Sequence, residues 1–103
     1  MNKLEYFGKV IKVVTELIEV TDKEIVGKCK TSEAVDARWL VIKLMREKGF
    51  TTKQIAPLVN AAKRSVTHAL AFFEYRMDDP LSSLGNSYAM AKQILSKSEA
   101  TTN

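Results

Sequence analysis

Residues 51–76 contain two apolar stripes at helical spacing, and a short polar turn separates them. In the first stripe Ile55, Leu58 and Val59 share one helical face. In the second stripe apolar residues recur at i, i+3, i+4 and i+7, at Val66, Ala69, Leu70 and Phe73. The pattern therefore predicts two short helices that bury their apolar faces in a common core.

The ends of the two helices are also marked. Thr51 and Gln54 have the spacing of a capping box, in which each side chain satisfies a backbone N–H of the other residue. Asn60 follows the first stripe, and Asn tolerates the left-handed conformation that ends a helix sharply. Together these marks predict a helix-turn-helix over about 51–76.

The second of these helices carries a polar and basic face between its apolar residues. That face consists of Lys63, Arg64, Ser65, Thr67 and His68. All five side chains can donate hydrogen bonds to phosphates or bases, so the segment favours duplex DNA as a ligand. Solvated charges at Lys63 and Arg64, surface filler at Ser65 and Thr67, and helix packing at His68 are the alternative interpretations.

The rest of the chain also reads as helical. Helices are expected over about 2–19, from Thr21 through Val26, from Thr31 to the stopping Gly49, and as one or two turns within 81–96. No strand-like alternation occurs, so we expect an all-α fold, a compact multi-helix bundle with one domain over 1–97 and a frayed polar tail over 98–103.

Several apolar residues are assigned to the core at this point. Phe72, Phe73 and Tyr75 are expected to hold the C-terminal segment against the bundle, and Trp39 to lie in the core or at its edge. The expected packing residues of the last segment are Tyr88, Met90, Ala91, Ile94 and Leu95.

Positive charge is concentrated in the middle of the chain. Residues 23–76 hold eleven Lys and Arg against five Asp and Glu, whereas each flanking segment has one more acid than base. Such a surface binds polyanions by releasing counterions, although a merely solvated surface is an equal alternative. The single cysteine, Cys29, excludes an internal disulfide, and no apolar run is long enough for a membrane span. We therefore expect a cytoplasmic protein without a membrane partner.

Enzymatic activity is not expected. The glycines nowhere form a P-loop, so no nucleotide and no cofactor is predicted. His68 is the only histidine, and no second ligand or nucleophile accompanies it at functional spacing, so neither a metal site nor a catalytic site is predicted.

The order of these features resembles the C-terminal DNA-binding domain of the bacterial replication initiator DnaA, over about residues 10–97. The resemblance rests on the first helix and the Thr21-Asp22-Lys23-Glu24-Ile25 turn, the Gly27-Lys28-Cys29-Lys30 loop and the Ala37-Arg38 dipeptide. The segment 51–59, His68-Ala69 and Asp79-Pro80 also have counterparts.

The resemblance implies roles for particular residues. Arg38 would enter a minor groove, with surface pairing to Asp36 or Glu33 as the alternative. Lys28 and Lys30 would touch the DNA backbone, and Thr52 and Lys53 would lie near phosphate. Lys63, Arg64 and Ser65 would read bases in the major groove.

One segment departs from the family pattern. Residues 60–66, Asn-Ala-Ala-Lys-Arg-Ser-Val, stand where the family usually has Gly-Gly-Arg-Asp-His-Thr/Ser-Thr-Val. Lys and Arg in place of Asp and His change the donor pattern, so recognition of the initiator's own sites is not implied. We expect a stand-alone, monomeric module that binds double-stranded DNA in replication or in transcriptional control. The alternative is an interaction module of the same fold that binds a protein partner, such as a replication factor, through Trp39, Phe72 or 81–96.

Overall fold

The computed structural model describes residues 2–101 of the chain, with side chains as far as Lys97. This part of the chain is all-α and contains no strand. Its six helices are α1 (Lys3–Ile18), α2 (Asp22–Val26), α3 (Ser32–Glu47), α4 (Thr52–Leu58), α5 (Lys63–Met77) and α6 (Leu84–Thr101). Helices occupy both places predicted within 51–76, since α4 and α5 are separated there by residues 59–62.

Side-chain caps fix where most of the helices begin. The first four helices start at residues whose side-chain oxygen accepts a backbone N–H of the first turn, namely Asn2, Thr21, Thr31 and Thr51. The predicted capping box at Thr51 and Gln54 is confirmed. α5 differs, because its N-cap residue is Ala62 and no side chain caps it. The first N–H groups of α5 therefore have no capping side chain to which they can donate a hydrogen bond.

Left-handed backbone marks the sharp ends of three helices. Asn60 has φ +54° just after α4, and Gly49 has φ +111° after α3, as the sequence predicts. Glu19 also adopts φ +60°, at the end of α1. Nothing in the sequence indicates this third position, because glutamate rarely takes that conformation.

α3 lies at the centre of the bundle and packs against each of the other five helices. It buries residues on nearly its whole circumference along most of its length. The bulkiest fully buried side chains of the core come from α2, α3, α4, α5 and α6, and they are Phe73, Ile25, Leu40, Ile42, Met45, Ile55 and Leu84.

One carboxylate is buried in this core. Asp36 of α3 is only 2% exposed, and it accepts hydrogen bonds from the Arg76 guanidinium of α5 and from the Ser82 hydroxyl. A buried charge persists only when it is paired and hydrogen-bonded, so this cluster ties α3 to α5 and to the turn before α6. The surface pairing of Arg38 with Asp36 is thus wrong, because Arg76 occupies that carboxylate.

The C-terminal segment differs from the sequence prediction. One continuous helix, α6, replaces the one or two turns expected within 81–96, and its backbone runs past residue 98 to Thr101. Residues 102 and 103 of the predicted tail lie outside the described residues. Leu84, Ser87, Ala91 and Leu95 are buried at helical spacing, which explains the continuity of the helix. Met90 and Ile94, predicted to pack, are about half exposed.

The aromatic residues of α5 divide between core and surface. Phe73 is buried, and its ring meets Tyr88 of α6 edge-on at 5.1 Å, so it holds the C-terminal helix as expected. Phe72 is 48% exposed and Tyr75 is 82% exposed. The same role predicted for these two residues is therefore wrong, because both point away from α6 at their places in the helical turn.

The neighbouring phenylalanines give a matched test of this packing. Phe73→Ala is expected to lower the free energy of unfolding by about 3–5 kcal/mol, because it removes a buried ring from the core. Phe72→Ala, one residue away, is expected to cost about 1 kcal/mol or less. Chemical denaturation of both variants measures the difference, and equal losses would contradict the assignment of the two side chains.

Candidate nucleic-acid interface

The basic loop, residues 27–30, leaves α2 through a close backbone approach. The Gly27 N–H donates to the Lys23 carbonyl at 2.8 Å, and a Cβ at Gly27 would lie 2.7 Å from that oxygen. Any larger residue must therefore move the backbone here, so glycine fixes the direction in which the loop begins. Lys28 and Lys30 follow with exposed side chains.

Arg38 holds the inner side of the basic loop. Its Nε donates to the Ile25 carbonyl at 2.6 Å, and its Nη2 lies 2.9–3.0 Å from the carbonyl oxygens of Glu24, Gly27 and Cys29. The first two acceptors belong to the end of α2, whose last carbonyls lack partners within the helix. The guanidinium thus caps α2 and binds the loop at once.

The hydrogen bonds of Arg38 compete with both roles predicted for it, groove entry and surface pairing. Burial lowers the pKa of the guanidinium from its ordinary value, although an arginine remains cationic at neutral pH. Entry of Nε and Nη2 into a minor groove would require these atoms to give up their carbonyl partners. Surface pairing with Glu33 is not seen, as the carbonyls of the loop take its place.

A cleft of about 890 Å³ opens between the basic loop and the beginning of α5. Lys28 and Lys30 line it from the loop, and Arg64, Ser65 and His68 line it from α5. These two groups are separated by more than thirty residues in the sequence. The fold therefore brings together the two basic segments that the sequence predicts to contact DNA.

The charge of the cleft is of one sign. Its charged lining residues are Lys28, Lys30, Arg38 and Arg64, and no acidic residue among the described residues lines it. α3 adds an apolar part of the lining with Val35, Trp39 and Ile42. A concave surface with a single sign of charge concentrates its field and attracts polyanions.

The other predicted contact residues do not line the cleft. Lys63 is the first residue of α5 and is exposed, whereas the Thr67 hydroxyl donates to the Lys63 carbonyl within the helix. Thr52 and Lys53 lie in the first turn of α4, where Lys53 is exposed and Thr52 is half-buried. These residues can reach a ligand only if it extends beyond the cleft.

A row of rings continues from the cleft along α5. The His68 ring meets Trp39 edge-on at 5.8 Å and lies 4.7 Å from Phe72, while the Arg76 guanidinium lies 5.3 Å from the centre of Trp39. Trp39 is thus at the edge of the core, as expected. This row was not predicted from the sequence, although the spacing of four between His68 and Phe72 indicates a shared helix face.

Cys29 lies in the middle of the basic loop. Hydrogen bonds from the backbone and hydroxyl of Thr31 lower the pKa of its thiol, and Arg38 contributes in the same direction. The Sγ and the Thr31 hydroxyl oxygen are 3.6 Å apart. The thiolate is therefore favoured at a lower pH than for an ordinary cysteine.

This environment predicts the pH dependence of Cys29 alkylation. The rate with iodoacetamide, followed by mass spectrometry, should reach half its plateau at a lower pH than for a cysteine in an unfolded peptide. Thr31→Val removes the hydroxyl and should move the midpoint upward, whereas Thr31→Ser retains the hydroxyl and should leave it nearly unchanged. The same midpoint for all three proteins would refute the contribution of the Thr31 hydroxyl.

Two kinds of feature are absent from the described part of the chain. None of its helices has both the length and the apolar character needed to cross a membrane. Within residues 2–101, no three His, Cys, Asp or Glu side chains come together in a way that could hold a metal ion.

Comparison of the chain with protein-family models, curated proteins and solved structures finds no match. The family resemblance inferred from the order of motifs therefore stays a prediction, as do the residue roles that it implies. A function can be proposed from the geometry of the cleft and the chemistry of its lining.

Proposed function

We propose that the protein binds double-stranded DNA, with α5 as the helix that enters the major groove and the basic loop on an adjacent stretch of backbone. The observation that carries this proposal is the cleft in which Lys28 and Lys30 face the beginning of α5 without an opposing acid. Phosphate contacts give most of the affinity of such surfaces and make it salt-dependent.

The beginning of α5 supports the same orientation. Lys63, Arg64 and Ser65 occupy its first turn and are exposed, and no side chain caps the N–H groups there. In helix-turn-helix proteins the N-terminal residues of the second helix contact base edges. Arg64 is the residue best suited to read sequence, because its fork of donors matches O6 and N7 of guanine.

Secondary contacts follow from this orientation. We assign Lys53 and Thr52, at the start of α4, to phosphates beside the major groove. The first helix of a helix-turn-helix crosses the DNA backbone in the same way. Ser65 and His68 can donate to phosphate from inside the cleft, whereas the Thr67 hydroxyl already donates within the helix. We assign no catalytic role, and the proposed biological setting is replication or transcriptional control.

A second function has one observation in its favour. Phe72, a member of the row of rings, and Tyr75, three residues further along α5, are both exposed. Exposed aromatic side chains are enriched where proteins bind one another. This face would bind a protein partner with little dependence on salt, which distinguishes it from the DNA proposal.

The DNA proposal is tested by fluorescence anisotropy with a labelled mixed-sequence duplex over a series of salt concentrations. Wild-type affinity should fall as salt rises, because phosphate binding releases counterions. Lys63→Ala/Arg64→Ala should weaken binding at least about tenfold, since it removes a base contact worth about 1–3 kcal/mol together with a phosphate contact.

A matched control removes equal charge elsewhere. Lys12 and Lys97 are exposed on α1 and α6, which contribute no residue to the cleft. Lys12→Ala/Lys97→Ala should therefore weaken binding much less than Lys63→Ala/Arg64→Ala at the same salt. Equal losses would show only general charge attraction, and no binding by the wild type at low salt would refute the proposal in favour of a protein partner.

A further inference from the structure

Lys28 and Lys30 owe their placement to a residue outside the loop. Neither lysine makes a hydrogen bond or ion pair within the described part of the chain, and both are exposed. Arg38 holds the loop backbone through the carbonyls of Gly27, just before Lys28, and Cys29, between the two lysines. The same guanidinium reaches Glu24 and Ile25 at the end of α2. One side chain thus joins the loop to the helix before it and to α3.

We propose that Arg38 is a positioning residue for DNA binding, which holds the basic loop so that Lys28 and Lys30 face the beginning of α5. This inference rests on the proposed function. A loop already ordered before binding loses less conformational entropy when its lysines meet phosphates, so its order raises affinity. Arg38 acts here through the backbone of the loop and not through contact with DNA.

The geometry separates this role from direct entry into a groove. Arg38 is half-buried, and its Nε and Nη2 both have carbonyl partners. A groove contact made by Nε or Nη2 would break bonds to these four backbone carbonyls, two of which lie at the end of a helix. Carbonyls left without a partner destabilise the structure, so the present arrangement favours positioning.

Arg38→Lys isolates geometry from charge. It keeps the cation, but an ammonium is a compact point charge and cannot replace the planar fork that reaches these carbonyls. The matched control is Arg46→Lys on the same helix. The guanidinium of Arg46 is exposed and donates only to the Phe50 carbonyl, at 3.5 Å.

The first measurement needs no DNA. Trypsin cleaves after both Lys and Arg, so each Arg→Lys change preserves the number of cleavage sites. Cleavage after Lys28 and Lys30 in the folded protein should become several-fold faster in Arg38→Lys and stay unchanged in Arg46→Lys, because local opening sets the rate. An unchanged rate in Arg38→Lys would overturn the proposal.

The second measurement is a double-mutant cycle on duplex affinity. Lys28→Ala/Lys30→Ala should make the slope of log affinity against log salt shallower by about 1.8, the value for two phosphates. Arg38→Lys should weaken wild-type binding about five- to tenfold but should add less than about twofold in the Lys28→Ala/Lys30→Ala background, because residues acting as one unit are not additive.

The two measurements distinguish failure of the positioning role of Arg38 from failure of the proposed DNA function. Additive losses in the cycle would show that Arg38 contacts DNA itself and would overturn the positioning role. Faster loop cleavage with unchanged duplex affinity would show that Arg38 is merely structural, which also overturns it. Absence of binding by the wild type would refute the proposed DNA function and with it the role in binding, while the trypsin result would still decide whether Arg38 holds the loop.

Discussion

The burial of α3 on nearly all sides is the constraint on which the rest of the structure depends. The helix packs against five others, and none of its residues over 34–45 is fully exposed to water. Two of its charged residues, Asp36 and Arg38, lie within this packed stretch and find their partners inside the protein. Asp36 is paired with Arg76 of α5, and Arg38 is bonded to the carbonyls of the loop after α2. The hydrogen bonds of these two α3 side chains thus fix α5 on one side of the helix and the basic loop on another.

This constraint also shapes the surface of the protein. The network around Asp36 anchors the C-terminal part of α5 to α3, and the network around Arg38 anchors the basic loop to the same helix. The cleft lies between the basic loop and the beginning of α5, and Trp39 of α3 contributes to its lining. Preorganised cationic groups bind a polyanion with little further ordering, so a rigid core supports the proposed binding of DNA. The row of rings from Trp39 to Phe72 extends this face beyond the cleft.

Most of the helix boundaries could be predicted from local signals in the sequence. Capping at Thr51 and Gln54, the left-handed Asn60 and the stopping Gly49 depend on neighbouring residues, and each was predicted correctly. The partners of Asp36 and Arg38 could not be predicted, because they depend on which segments the fold brings together. The extent of α6 was missed since its buried stripe contains small residues that give a weak apolar signal. No periodicity in the sequence indicates that the loop lies close to α5. Only the family resemblance connects the two segments, because it implies that both contact DNA.

Backbone amide NMR of the protein during titration with a short unlabelled duplex tests the DNA-binding proposal directly. The DNA-binding proposal predicts that the largest shift changes fall on residues 27–30 and 63–68, with little change along α1 and the middle of α6. Changes centred on Phe72 and Tyr75 would contradict it and point to that face as the binding surface. Absence of any shift at low salt would contradict DNA binding altogether.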